Sequence, residues 1–227
     1  MGKQKMYRYA TVGSLENVVE LNPKYKGSWA NDFFGNSNPI ILELACGKGH
    51  YTLELARRNP DKNYIGVDIK GERIFVGART GLEENITNAG FLRTQIEDLH
   101  HYFETEEVAE IWITFPDPYL RKPDKRLTSK RFLDIYKAIA QKGAIIHLKT
   151  DDPTLHEYTL RTLNKYSLPL LEHVTDLYAL SKNKLNDDSV LFIQTHYEKL
   201  HLKAGRTIRY LNFNLDHYQP AGDESHE

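Results

Sequence analysis

Residues 40–68 restrict the possible folds more than any other stretch of the chain. The apolar run Ile40-Ile41-Leu42-Glu43-Leu44 leads into Ala45-Cys46-Gly47-Lys48-Gly49, and a helical pattern follows over Tyr51–Arg58. A second apolar run, Tyr64-Ile65-Gly66-Val67, then ends in Asp68. The order is strand, glycine turn, helix and strand, with an acid at the tip of the second strand. Gly47 and Gly49 let the backbone turn tightly and let a ligand approach with no Cβ in the way. Asp68 follows Gly49 by 19 residues, close to the spacing of an acid that hydrogen-bonds a ribose.

The ligand class follows from what flanks the glycines. Thr52 stands where a dinucleotide fingerprint carries its third glycine, and a carboxylate at Glu43 would repel a diphosphate. S-adenosylmethionine carries a ribose, an adenine, an ammonium and a sulfonium but no phosphate, so it suits this set better than NAD does. Glu43 also has a plainer reading, as a capping or lysine-paired acid.

The alternation continues along the chain. Helical spacing at Ile74, Ala78, Leu82 and Ile86 leaves Arg73 and Arg79 facing out. Strands are predicted at Phe91–Thr94, Ile111–Phe115 and Ala144–Leu148, with helices over Ser129–Ala140, capped by Ser129, and Pro153–Tyr166. Two late strands, Leu170–Thr175 and Ser189–Tyr197, complete a mostly parallel α/β sheet of seven strands with helices on both faces. Residues 1–38 read as a partly flexible arm with a short helix near Trp29–Phe34, residues 39–215 as the α/β domain, and residues 216–227 as a loose acidic tail. The arm's mix of Lys3, Lys5, Tyr7, Arg8 and Tyr9 suits either a nucleic-acid contact or a ragged terminus.

Ligands of such a sheet bind beyond the carboxyl ends of its strands. Glu43, Gly47, Gly49, Asp68, Gln95, Glu97, Asp117 and Asp151 all fall at or just past predicted strand ends. The net charge of −1 announces no polyanionic partner, but the distribution is uneven. Glu104, Glu106, Glu107 and Glu110 make an acidic edge, and Arg121, Lys122, Lys125, Arg126, Lys130 and Arg131 place six basic residues in eleven positions. That run is dense enough to hold phosphates. The single cysteine, Cys46, excludes an internal disulfide, and ten scattered histidines suggest no metal site. No run approaches the roughly 18 apolar residues of a membrane helix. Met1–Arg8 lacks an apolar signal core, so a cytoplasmic protein is expected.

The fourth predicted strand ends Thr114-Phe115-Pro116-Asp117-Pro118-Tyr119, an acid stiffened between two prolines beside the basic run. Together with Glu43-Leu44-Ala45-Cys46-Gly47-Lys48-Gly49, Gly66-Val67-Asp68, Lys125-Arg126-Leu127-Thr128, Leu148-Lys149-Thr150-Asp151 and Thr195-His196-Tyr197-Glu198, this motif closely resembles the bacterial tRNA (guanine-N7-)-methyltransferases from about Pro39 to Phe213. The resemblance implies a Rossmann-like class I S-adenosylmethionine-dependent methyltransferase acting on a guanosine in the tRNA variable loop. It implies cofactor acids at Glu43, Asp68 and Asp117, with Gln95 where the family more often has Asp or Asn. On the substrate side it implies Arg121, Asp151 and Thr195, His196, Tyr197 and Glu198, with the basic residues Lys122, Lys125 and Arg126 on tRNA phosphates. Asp117, Asp151 and Glu198 become the candidates to touch the guanine. Tyr119 replaces a usual tryptophan, and the basic run is about two residues shorter than usual, which shifts the register of Arg121 and Lys122. Other acceptors remain open, since an acid-proline-aromatic motif is also similar to that of amino-group methyltransferases. So does a non-catalytic RNA-binding module on the same fold. The sequence leaves the oligomeric state, monomer or homodimer, open.

Overall fold

Uninterrupted apolar runs fold as strands buried on both faces, and this chain has several. In the computed structural model, which describes residues 2–179 and 189–220, the elements run α1 (Lys3–Thr11), β1 (Val18–Glu20), β2 (Ile40–Leu44), α2 (His50–Arg58), β3 (Asn63–Asp68), α3 (Gly71–Glu83), β4 (Ala89–Arg93) and α4 (Leu99–Tyr102). They continue with β5 (Val108–Thr114), α5 (Lys130–Ile139), β6 (Ala140–Thr150), α6 (Pro153–Lys165), β7 (Leu170–Val174), α7 (His196–Lys203) and β8 (Arg209–Asn214). Every residue of β2 and β3 is buried.

Among the described residues, eight strands lie in the order β1-β4-β3-β2-β5-β6-β8-β7. All pairs are parallel except those of β8, which runs antiparallel to both β6 and β7. Successive side chains of a strand face opposite sides, and two cores result. Ile40, Leu42, Leu44, Ile111 and Ile113 pack with Leu133, Tyr136 and Leu155 on one face. Ile41, Tyr64, Phe91 and Trp112 pack with Leu53, Ile74 and Ala78 on the other. The chain leaves β2 toward β3 and β4 on one side, while β5 and β6 lie on the other. The crevice of this doubly wound sheet therefore opens above β2 and β5.

Three sequence expectations change. The segment 189–197 is not a strand: Val190–Phe192 form a single 3-10 turn, and Thr195 caps α7 by accepting from the Glu198 N–H at 3.1 Å. The closing strand is instead β8, whose Tyr210, Leu211, Asn212 and Phe213 are all buried. The eighth strand comes from the arm, where Val18, Val19 and Glu20 pair with Phe91, Leu92 and Arg93. The short helix near Trp29–Phe34 is present as a π-type turn over Trp29–Phe33. Its Trp29 stacks on Phe103 at 5.3 Å and donates its indole N–H to the Tyr102 carbonyl at 2.8 Å. Of the acidic edge, Glu107 seats this turn, its carboxylate accepting from the N–H groups of Gly27, Trp29 and Glu104, while Glu110 pairs with Lys62 at 3.1 Å. Ser129 precedes α5, but its hydroxyl donates to the Asp124 carbonyl rather than capping the helix. Of the acidic tail, residues 221–227 lie outside the described residues.

Candidate active site

The carboxyl ends of β2, β3, β4, β5 and β6 surround a cavity of about 690 Å³ that adjoins a second of about 230 Å³. Ala45, Arg73, Phe115 and Tyr197 line both. Ala45, Phe115 and Tyr119 hold left-handed backbone, with φ of 57°, 49° and 41°. Residues with side chains pay roughly 1 kcal/mol or more for such a conformation, and it clusters where a site must be held in shape. Here it turns the chain sharply at the tips of β2 and β5. The Phe115 N–H still reaches the Lys149 carbonyl at 2.8 Å.

The glycine turn and its acids form one unit. Glu43 is buried and accepts from the Thr52 N–H at 2.8 Å, from the Thr52 hydroxyl, and from the Thr114 hydroxyl at 2.7 Å. Burial pushes its pKa up to about 7, against the pull of those hydrogen bonds. The capping reading of Glu43 thus holds, and its carboxylate also lines the smaller cavity. Asp68 accepts from the Gly47 N–H at 2.9 Å and the Lys70 N–H at 2.8 Å, one on each oxygen. Each oxygen keeps a lone pair for a hydroxyl, and the residue lines the larger cavity. Gly47 (φ 58°) has open space where a Cβ would stand, whereas a Cβ at Gly49 would collide with the Phe91 ring. Gly47 therefore faces the smaller cavity, and Gly49 serves helix-to-sheet packing.

This set tests what the site can hold. An N–H of the first turn of α2, the usual phosphate anchor, is already taken by a carboxylate. A carboxylate in that place opposes a diphosphate. A ligand with a ribose diol and a cationic head, as S-adenosylmethionine has, fits.

The basic run divides. Asp117 is exposed at the rim of the larger cavity, with Gln95, Glu97 and Lys125 also on its lining. Arg121 and Lys122 are exposed but belong to neither cavity. Arg126 is a correction: it is 4% exposed, donates to the Pro118 carbonyl at 2.9 Å and stacks over the Tyr158 ring at 4.4 Å. Its guanidinium braces the Asp117 loop and is not offered to phosphates. Arg131 pairs with Glu97 at 3.4 Å.

Asp151, at the end of β6, lines the larger cavity with one oxygen engaged by Arg206 at 2.6 Å and by His201 at 3.1 Å. Thr195 and Tyr197 line the smaller cavity. Glu198 is the second correction. It is fully buried and lines neither cavity, its oxygens lying 2.8 and 2.9 Å from the Lys149 ammonium, with the Tyr178 hydroxyl donating at 2.8 Å. Burial pushes the Lys149 pKa down and the Glu198 pKa up, while their mutual attraction opposes both shifts.

Four residues of the site escape sequence reasoning. Arg73, read as facing out, lines both cavities, whereas Arg79 does face solvent and pairs with Glu83. His201 and Arg206 come from α7 and the turn after it, beyond Tyr197, where the sequence predicts no element. Lys149 carried one signal, a lone charge inside the apolar run of β6.

A family model described as a putative methyltransferase matches residues 37–211. The tRNA (guanine-N(7)-)-methyltransferase of Christiangramia forsetii is 44% identical over 94% of this chain and 98% of its own length. That of Porphyromonas gingivalis is 48% identical over 92% of this chain and 83% of its own. The chain belongs to the bacterial tRNA (guanine-N7-)-methyltransferase family. Among solved structures, this family member resembles an antibiotic-related methyltransferase (TM-score 0.62, 17% identity, 88% of this chain and 96% of that one). It also resembles the 16S rRNA methyltransferase KamB (TM-score 0.58, 15% identity, 78% and 87%). At that identity the likeness shows the fold alone, a class I methyltransferase fold.

Proposed function

We propose that the protein transfers a methyl group from S-adenosylmethionine to N7 of a guanosine in the tRNA variable loop. The observation that carries this reading is the near-full-length identity to enzymes of that name, and a site suited to a phosphate-free, ribose-bearing cation agrees with it. The donor, when bound, supplies an electrophilic methyl on a sulfonium. Asp68 would hold the ribose hydroxyls, and Glu43 with the glycine turn would hold the cationic end.

Guanine N7 has an in-plane lone pair and carries no proton, so no residue need act as a base on the nucleophile. The chain's task is to place N7 in line with the methyl and exclude water. The product base is cationic, and a carboxylate facing the guanine N1 and N2 groups stabilises the growing charge. Asp117 and Asp151 fit this role. Glu198, taken up by Lys149, does not. Lys125 at the rim, with Arg121 and Lys122 on the exposed loop beyond, would meet tRNA phosphates. No helix of the described residues is long and apolar enough to cross a membrane, and none of their His, Cys, Asp and Glu side chains cluster in a group able to hold a metal. As an enzyme of tRNA the protein would act in the cytoplasm.

Incubation with labelled S-adenosylmethionine and unmodified tRNA, followed by nucleoside analysis, tests the proposal. N7-methylguanosine is the expected product. A different methylated nucleoside, or donor binding with no transfer to tRNA, would overturn it.

A further inference from the structure

Thr195 and Tyr197, which line the smaller cavity with the glycine turn, are delivered by residues 190–198, a segment with little regular structure of its own. A single 3-10 turn uses the N–H groups of Phe192 and Ile193. Buried carbonyls of such a segment must find donors elsewhere. They find one ammonium. Lys149 Nζ, fully buried, donates to the Leu191 carbonyl at 2.6 Å, to the Ile193 carbonyl at 3.1 Å and to Glu198 at 2.9 Å. The Tyr51 hydroxyl adds a bond to the Val190 carbonyl at 2.9 Å.

The other end of this anchor is the catalytic strand edge. Lys149 pairs in register with Thr114, which holds Glu43, and its carbonyl accepts from the Phe115 N–H. Its ammonium stands 5.5 Å from the Tyr51 ring centre and 5.8 Å from that of Phe115, two residues that line the smaller cavity. One side chain therefore links the tip of β6, the cap of α7 and the segment that delivers Thr195 and Tyr197. A buried ion pair is a poor source of stability compared with apolar residues of similar size.

We propose that Lys149 is a positioning residue for the methyl donor: with Glu198 it fixes the 190–198 segment against the glycine turn. The proposal rests on the reading of this cavity as the donor site.

The test compares the wild type with Glu198→Gln, Lys149→Met and the double variant Lys149→Met/Glu198→Leu. The double variant replaces the pair by apolar side chains. Calorimetric binding of S-adenosylhomocysteine and thermal midpoint are measured on each full-length protein. Glu198→Gln and Lys149→Met are expected to bind the donor product at least tenfold more weakly than the wild type. The double variant is expected to recover the thermal midpoint without recovering donor-product affinity. Recovery of both would mean that the pair is only a core contact and would overturn the proposal. Weak binding by Glu198→Gln beside wild-type binding by Lys149→Met would place the glutamate itself on the ligand, and would overturn it too. If the two Lys149 variants do not fold, Glu198→Gln decides alone, since unchanged affinity there refutes a positioning role. A wild-type protein that binds no S-adenosylhomocysteine would instead fail the functional reading.

Discussion

Glu43 titrates in a place where most carboxylates do not. Its pKa is near 4.5 in an unfolded chain and about 7 in the folded one, chiefly through burial. Between those values the folded protein holds more protons than the unfolded, so Glu43 makes folding less favourable as pH rises through that window. Glu43→Gln keeps the side chain's size and removes the titration. The thermal midpoint of the wild type should therefore fall, relative to this variant, between about pH 5 and pH 7.5; parallel profiles would refute the shift. For catalysis, Asp117→Ala and Asp151→Ala should each lower kcat/KM at least tenfold, about 1.4 kcal/mol of transition-state stabilisation. Near wild-type rates in both would sink their assignment to the base. Glu43, Asp68 and Asp117 were legible in the sequence because an apolar run followed by glycine or proline marks a strand tip. Lys149 and Arg73 were not, because a basic residue ordinarily signals solvent, and only the fold reveals what it points at.

At the scale of elements, the loop from Pro116 to Ser129 carries two kinds of basic residue that composition makes equivalent. Lys125 is exposed on the cavity lining, while Arg126 is inside, on the Pro118 carbonyl and the Tyr158 ring. Lys125→Ala should reduce the slope of log affinity for tRNA against log salt by about 0.7 to 0.9, the share of one phosphate contact. Arg126→Ala should lower the thermal midpoint and slow turnover through the displaced Asp117 loop. Equal salt slopes in wild type and Lys125→Ala would return that lysine to solvent. The same limit explains the segment at 189–197. Val190, Phe192 and Ile193 have the composition of a strand, but their neighbours β6 and β8 already satisfy one another across the full register from Ile145↔Asn214 to Thr150↔Arg209. With no open strand edge there, the segment takes its donor from a side chain instead.

At the scale of the molecule, the central strands and the crevice above β2 and β5 could be read from apolar runs, whereas the sheet's margins could not. β1 has three residues, too few to show a period, and it owes its place to β4. Val19, 4% exposed, faces the core. Val19→Asp should detach the strand, lowering the thermal midpoint and making the protein prone to self-association through the bared edge of β4. An unchanged midpoint would show that β1 is only laid against the sheet. The pairing of residues 18–20 with 91–93 also sets a timetable on the ribosome. The first strand to emerge has nowhere to dock until some seventy further residues have been made. The amino-terminal segment must therefore wait, unpaired, while β2, β3 and β4 assemble, and it joins as the clasp on a sheet that began in the middle.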